Sequence, residues 1–123
     1  MLTQENQNDK NQIEQLIQTF VDGWAIGNAE TARKTLHETW RIKFFRENKL
    51  TDMTREEYLS HFVAKERYKD IKYKVISIEI TDNIAVAKTE IINETSIFTD
   101  YLSLIKTNDA WVMVEKITNR QAK

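Results

Sequence analysis

The sequence has no cysteine and no proline, and only two glycines and two histidines among its 123 residues. The lack of cysteine excludes disulfides, thiolate metal sites and cysteine nucleophiles. Two histidines alone are too few for a typical zinc site, and two glycines are too few for a glycine-rich phosphate loop. We therefore predict no metal and no cofactor, so that any chemistry must come from other polar and aromatic side chains.

A charge excess is also missing, because 18 basic and 19 acidic residues leave a formal net charge of −1. Such a balance gives no overall field that would attract nucleic acid or an anionic membrane. The sequence has no segment long enough to span a bilayer, and its start lacks the pattern of a secretory signal. We predict a cytoplasmic protein without nucleic-acid or membrane partners, forming one domain over residues 1–123 with an ordered core at about 10–118.

Hydrophobic residues at helical spacing predict three helices in the first half of the chain. One apolar stripe runs through residues 9–25, and a short second helix is predicted over 29–38. A third helix begins at Thr54 and Glu57, which form a capping-box pattern. Between the second and third helices, the segment 40–45 alternates in polarity and predicts one strand.

In the second half the hydrophobic period is two, which predicts a meander of strands. A first hairpin turns at 81–83, with Ile76, Ile78 and Ile80 on one face of its first strand. A second hairpin turns at 107–110. The order α-α-β-α-β-β-β-β predicts an α+β fold, in which three N-terminal helices with one interposed strand pack on a curved antiparallel sheet.

Four stretches carry a family resemblance: "FVDGWAIGNAETARKTLHETW", "REEYLSHF", "ITDNIAVAK" and "FTDYLSLIKTNDAWVMVEKI". Together with the element order, they resemble the nuclear transport factor 2-like superfamily over about residues 12–118. This cone-shaped fold is shared with ketosteroid isomerases and SnoaL-like proteins, and the chain is most similar to the putative lumazine-binding branch. The resemblance implies a cavity at the wide end of the cone. It leaves activity open, because the fold hosts enzymes and non-enzymes.

The sequence departs from the ketosteroid isomerases at two of their three catalytic parts. Phe20 stands where those enzymes carry a tyrosine on the first helix, so its hydroxyl is missing. The apolar face of the strand at 40–45 offers no carboxylate where the isomerases carry their aspartate base. Steroid isomerisation is therefore not predicted.

Asp100 is the first candidate site residue, because it lies in an apolar strand pattern. It shares its face with Phe98, Leu102 and Leu104, since side chains two apart on a strand point the same way. A carboxylate buried there must find hydrogen-bond donors or take up a proton. It could anchor a ligand or act as an acid or base, and the resemblance places it toward the cavity. An equally supported alternative is an ordinary structural carboxylate at a sheet edge.

His37 is the second candidate, predicted at the end of the second helix. There it could act as a general base or simply compensate the helix dipole. For the functional role of Asp100 we expect His37 as the donor and the Trp40 indole as the next choice, whereas the structural role would use Lys106 or Arg46. On the functional alternative, Asp100→Asn is expected to leave the melting temperature unchanged or raised while weakening ligand binding.

Aromatic residues at helical and strand spacing could line an apolar cavity, although each alone is more typical of ordinary core. The predicted ligand-binding set is Phe20, Trp24, Trp40, Tyr58, Phe62, Asp100 and Trp111. His61, on the third helix, is expected at the surface. The basic segment 65–74 contains two tyrosines that could contact nucleic acid, but interspersed acidic residues favour a solvated loop.

The leading hypothesis is a protein that holds an apolar or aromatic organic ligand in its cavity. Two alternatives stay open: an isomerase, cyclase or hydratase with His37 and Asp100 as catalytic acid and base, and a protein-interaction module. We also predict a homodimer packed sheet to sheet, because the outward face of the last hairpin is unusually apolar. That face comprises Tyr101, Ser103, Ile105, Val112 and Val114.

Overall fold

The computed structural model describes residues 4–64, 71–108 and 110–123, without the side chains of residues 4 and 5. Its helices are α1 (Gln4–Ile26), α2 (Ala29–Arg33) and α3 (Arg55–Leu59). Its strands are β1 (Leu36–Arg46), β2 (Lys49–Thr54), β3 (Lys72–Thr81), β4 (Ile84–Ile92), β5 (Ser96–Thr107) and β6 (Ala110–Ala122). Most of the predicted basic segment, residues 65–70, lies outside the described residues, as does residue 109 in the turn predicted at 107–110.

The strands form a six-stranded sheet in the order β2-β1-β6-β5-β4-β3. Neighbouring strands are antiparallel, except for β1 and β6, which are parallel. The predicted α+β class is confirmed, but the expectation of a wholly antiparallel sheet is wrong. The parallel pair arises because β6 inserts the C-terminal end of the chain between β1 and β5.

A second interposed strand, β2, was not predicted. Glu47 and Asn48 both adopt left-handed backbone conformations, with φ of 53° and 62°. Two consecutive residues of this kind form the tight turn that suits the twist of a hairpin. The sequence carries no glycine at this turn, which removes the usual signal for it.

The second helix is shorter than predicted, since it ends at Arg33 rather than near residue 38. Its start follows the prediction, because the side chain of Asn28 accepts a hydrogen bond from the Thr31 amide. The remainder of the predicted helix joins β1, where the Met113 amide donates to the Thr35 carbonyl at 3.1 Å. Tertiary strand pairing has overridden the local helical pattern.

The third helix begins as predicted. Thr54 accepts from the Glu57 amide while the Glu57 carboxylate accepts from the Thr54 amide, which completes the capping box. The helix is short, however, and ends at Leu59. It places Tyr58 against the inner face of the sheet.

The core lies between α1 and the inner face of the sheet. Ile13, Ile17 and Phe20 on α1 are buried in the same cluster as Leu102 and Leu104 on β5. These are the positions that the two hydrophobic periods assign to the interior. The structure therefore confirms the inward faces of the longest helix and of the strand that carries Asp100.

A bulge in β3 corrects one predicted face. The pairing with β4 shifts between Val75 and Ser77, which breaks the alternation of side chains. Ile76 is consequently 43% exposed, whereas Ile78 and Ile80 pack against the core. The expectation that the three isoleucines share one face is therefore wrong for Ile76.

Helix α1 is 23 residues long, but polar residues occur throughout it. Within the described ranges, no helix is both long enough and apolar enough to cross a membrane.

Candidate functional site

A cavity of about 220 Å³ lies beside the end of α1, between α3 and the inner face of the sheet. Its apolar wall is formed by Trp24, Ile42, Phe44, Met53, Tyr58, Ile91 and Phe98. Its polar lining consists of Arg46, His61, Asp100, Lys116 and Thr118. We call this space the Asp100 cavity.

Asp100 and Lys116 form a buried ion pair in the lining of the cavity. The Lys116 Nζ lies 3.3 Å from the Asp100 Oδ2. Asp100 is 3% exposed and Lys116 is 6% exposed, so water screens neither charge effectively. Among the described residues, the other carboxylate oxygen, Asp100 Oδ1, has no hydrogen-bond partner.

Lys116 is further held by aromatic rings. Its Nζ lies 4.8 Å from the centre of the Phe20 ring and 5.8 Å from that of Tyr58, within the range of cation–π attraction. Burial is the largest single influence and would lower the pKa of Lys116, but the charge of Asp100, the Tyr58 side chain and the hydrogen bond to Asp100 together outweigh it. The pKa of Lys116 therefore lies above its ordinary value of 10.5, which keeps the ammonium group charged.

A bulge in β6 brings Lys116 into the cavity. The register between β5 and β6 shifts where Leu104 pairs with Met113 but Ser103 pairs with Glu115. Strict alternation from Met113 would have placed residue 115 inside and Lys116 outside. The extra residue reverses the faces, so that Ile117 is 50% exposed and Lys116 is buried.

Sequence reasoning missed Lys116 for this reason. One signal could have found it: Val112, Met113 and Val114 are consecutive apolar residues, so the alternation has no definite phase there. Such an interruption in a strand is typical of a bulge. A lysine that follows it can then belong to either face.

Three ring contacts support the aromatic wall of the cavity. The rings of Trp24 and Phe98 meet edge to face, with centres 5.9 Å apart. The Tyr58 ring lies 5.2 Å from that of Trp40 and 5.3 Å from that of Phe62. These contacts pack the rings against one another in the edge-to-face and tilted arrangements that aromatic pairs prefer.

The structure brings only part of the predicted ligand-binding set to the cavity. Trp24, Tyr58 and Asp100 line it, while Phe20, Trp40 and Phe62 contact Tyr58 from behind the wall. Trp111 lies elsewhere and donates from its indole to Asp9 at 3.0 Å. His61 is exposed as expected, yet it also lines the cavity.

His37 lies on β1 rather than at the end of a helix, so that expectation is wrong. Its Nδ1 is 2.8 Å from the Thr39 hydroxyl, and the side chain is not part of the cavity lining. The expectation that His37 or Trp40 donates to Asp100 is also wrong, because the partner of Asp100 is Lys116. Within the described residues, the Trp40 indole N–H has no hydrogen-bond partner.

The polar groups of the cavity are few. Arg46 packs its guanidinium 4.6 Å from the centre of the Phe44 ring. In the part of the chain that the structure describes, no three acidic or histidine side chains are grouped so that they could hold a metal ion. The lining therefore combines an aromatic surface with one neutral ion pair, Arg46, His61 and Thr118.

The family of the chain follows from a comparison with family profiles. The profile described as "Putative lumazine-binding" matches residues 8–118, almost the whole of the sequence. The chain belongs to this family. The predicted resemblance is thereby confirmed, and its nuclear transport factor 2-like fold agrees with the solved structures that are similar to it. No curated protein matches the chain.

Three solved structures illustrate the fold of the family. An NTF2-like protein of unknown function from Silicibacter pomeroyi has a TM-score of 0.87 at 16% identity, covering 98% of this chain and all of its own, 100%. A similar protein from Shewanella baltica has a TM-score of 0.87 at 18% identity and covers 100% of both chains. A third, from Methylobacillus flagellatus, has a TM-score of 0.81 at 21% identity and covers 94% of each chain.

Proposed function

We propose that this protein binds a small, flat and largely apolar organic molecule in the Asp100 cavity. The observation that carries the proposal is an aromatic-walled cavity whose lining contains one buried ion pair, Asp100 and Lys116. Small-molecule sites typically combine apolar walls with a few placed polar groups. The description of the family names lumazine, a flat heterocycle of this kind.

The size of the cavity limits the ligand. Its volume of about 220 Å³ lies below the roughly 300 to 1,000 Å³ that is common for drug-sized ligands. A single fused ring system fits such a space better than a steroid or a dinucleotide. The edge-to-face pair of Trp24 and Phe98 supports a flat molecule, since aromatic faces stack on flat rings.

The geometry favours binding over the enzyme alternative. That alternative required His37 and Asp100 to converge on one substrate atom. His37 is hydrogen-bonded to Thr39 and lies outside the cavity lining, and the charge of Asp100 is balanced by that of Lys116. We therefore propose a binding role in which Asp100 orients the ligand.

Calorimetric titration with lumazine as the probe tests this proposal. Phe44 lines the cavity, whereas its neighbour Phe45 is 68% exposed on the opposite face of β1. We expect Phe44→Ala to weaken binding at least about tenfold, because it removes aromatic contact area. Phe45→Ala is the matched control and is expected to bind like the wild type. Equal affinities for the two variants, or no binding to the wild type, would contradict the proposal.

Homodimer formation is a second proposal, and it rests on the outer face of the sheet. Tyr101 and Ile105 on β5 are 45% and 37% exposed, and Val86 on the neighbouring β4 is 40% exposed. A contiguous apolar face of this kind is more typical of an interface than of a solvated surface. A second copy of the same face would cover it in a two-fold arrangement.

A further inference from the structure

The Asp100 cavity contains a buried hydrogen-bond acceptor that the protein leaves unused. Asp100 Oδ1 has no partner within the described residues, although the residue is 3% exposed. Buried polar atoms are almost always hydrogen-bonded, because an unmet acceptor loses its hydration without compensation. A donor supplied from outside the chain would satisfy this oxygen once the carboxylate turns toward the cavity, since the oxygen itself is enclosed.

A hydrogen-bond donor, the ammonium group of Lys116, lies beside this carboxylate. Lys116 carries three N–H bonds, of which one is directed to Asp100 Oδ2 at 3.3 Å. The rest of the ammonium group is held by the weaker attraction of the Phe20 and Tyr58 rings. The ammonium group and Asp100 Oδ1 thus present a donor and an acceptor side by side in an apolar cavity. Together the two residues carry no net charge.

The charge balance restricts the ligand further. A carboxylate or an ammonium group placed against Asp100 and Lys116 would meet one like charge for each opposite one, which is unfavourable at a buried pair. Arg46, another charged side chain of the lining, packs on the Phe44 ring. A neutral group with a donor next to an acceptor would satisfy Asp100 and Lys116 at once. An N–H adjacent to a C=O in a flat ring, as in cyclic imides and lactams, has this arrangement.

We propose that Asp100 and Lys116 form the recognition site for an imide or lactam edge, with Asp100 Oδ1 accepting from the ring N–H and Lys116 donating to the adjacent carbonyl. This inference rests on the proposed ligand-binding function and deepens it by naming the chemical class of the ligand. The aromatic wall contacts the faces of the ligand ring, and the ion pair forms hydrogen bonds with the polar edge of that ring.

Two probes test the inference on the wild-type protein. Lumazine carries two ring N–H groups, each next to a carbonyl, and its derivative methylated at both nitrogens keeps the same flat faces without either donor. Hydrogen bonds to charged groups are strong enough that losing one weakens binding roughly tenfold to a hundredfold. We expect that difference in the dissociation constants measured by calorimetry.

A double variant supplies the control. Asp100→Leu combined with Lys116→Met replaces the ion pair by apolar groups of similar size, a change that buried pairs often tolerate. We expect it to fold, as circular dichroism will show, and to bind both probes with similar affinity. The comparison of the two probes on the wild type decides the matter even if the variant does not fold.

The outcomes separate the inference from the proposed function. Preference for lumazine in the wild type, with loss of that preference in the double variant, supports the inference. Equal binding of both probes to the wild type overturns it but leaves the proposed ligand binding intact. A preference that persists in the double variant also overturns it, and failure of both probes to bind contradicts the proposed function itself.

Discussion

Two aspartate–lysine pairs have a buried aspartate, and they differ in how many hydrogen bonds the protein supplies to that aspartate. At one, Asp9 Oδ1 accepts from both the Trp111 indole and Lys106, each at 3.0 Å. At the other, Lys116 meets one oxygen of Asp100, and the second oxygen has no partner in the described residues. The first pair ties α1 to the last hairpin, while the second lines a cavity. We therefore assign a structural role to the first pair, whereas ligand binding at the second is our proposal.

The largest expected effect on stability is at Asp9, which accepts from both Trp111 and Lys106. Trp111→Ala would remove a buried aromatic ring together with the donor to Asp9, so we expect a loss of about 3 to 5 kcal/mol in the free energy of unfolding. Urea denaturation measures this loss. Phe45→Ala is the control, and its effect is expected within about 0.5 kcal/mol, since Phe45 is largely exposed. A loss under about 1 kcal/mol for Trp111→Ala would show that this pair is not structural.

The next largest effect on stability is expected at the Asp100–Lys116 pair. Here the structure changes the expectation from the sequence that Asp100→Asn leaves the melting temperature unchanged or raised. Because Lys116 lies beside Asp100, Asp100→Asn would leave a buried ammonium group without its counter-charge. We now expect a loss of about 3 kcal/mol rather than an unchanged melting temperature. Asp100→Leu with Lys116→Met is the matched control and is expected to recover most of it. Thermal unfolding that leaves Asp100→Asn as stable as the wild type would contradict the buried ion pair.

Asp9 and Lys116 are also expected to lose their contributions to stability at opposite ends of the pH scale. Hydrogen bonds from Trp111 and then Lys106 hold the pKa of Asp9 below its ordinary value of 3.8. Its contribution to stability is present above that pH and lost as the pH falls through the folded value. The raised pKa of Lys116 acts the other way, so its contribution is present below its ordinary pKa of 10.5 and is lost as the pH rises through the higher folded value.

Melting temperatures measured from acid to alkaline pH separate these contributions. We expect Asp9→Asn to flatten the acid limb, and the Asp100→Leu and Lys116→Met double variant to flatten the alkaline limb through the loss of Lys116. A double variant that retained the wild-type alkaline limb would show that Lys116 does not titrate with folding.

The smallest expected effect on stability concerns the outer face of the sheet. Ile105→Lys changes a residue that is 37% exposed, so we expect a change in unfolding free energy of about 0.5 kcal/mol or less. Its effect on assembly is expected to be larger, because it places a charge in the proposed interface. Light scattering at micromolar concentration is expected to give a dimer for the wild type and a monomer for the variant. A monomeric wild type would contradict the dimer.

The sequence predicted the parts of the fold that strong local patterns determine. The stripe on α1 and the inner face of β5 follow from hydrophobic period, and the start of α3 follows from Thr54 and Glu57. It also identified Asp100 as a buried carboxylate. These features depend on residues near one another in the chain, so the pattern contains the information.

What was missed depends on pairing between distant strands. The bulge that buries Lys116 lies in the register between β5 and β6, and the segment with His37 became a strand because β1 pairs with β6. Neither is encoded in a local period. The partner of Asp100 could therefore not be predicted, although the position of Asp100 itself could.

A crystal structure of the protein with lumazine would show whether the ligand binds at the Asp100–Lys116 pair. We expect the ring in the Asp100 cavity against Trp24 and Phe98, with its N–H within about 2.7 to 3.2 Å of Asp100 Oδ1 and a carbonyl at similar distance from Lys116. A ligand bound on the outer face of the sheet, or one in the cavity that contacts neither residue of the pair, would contradict it.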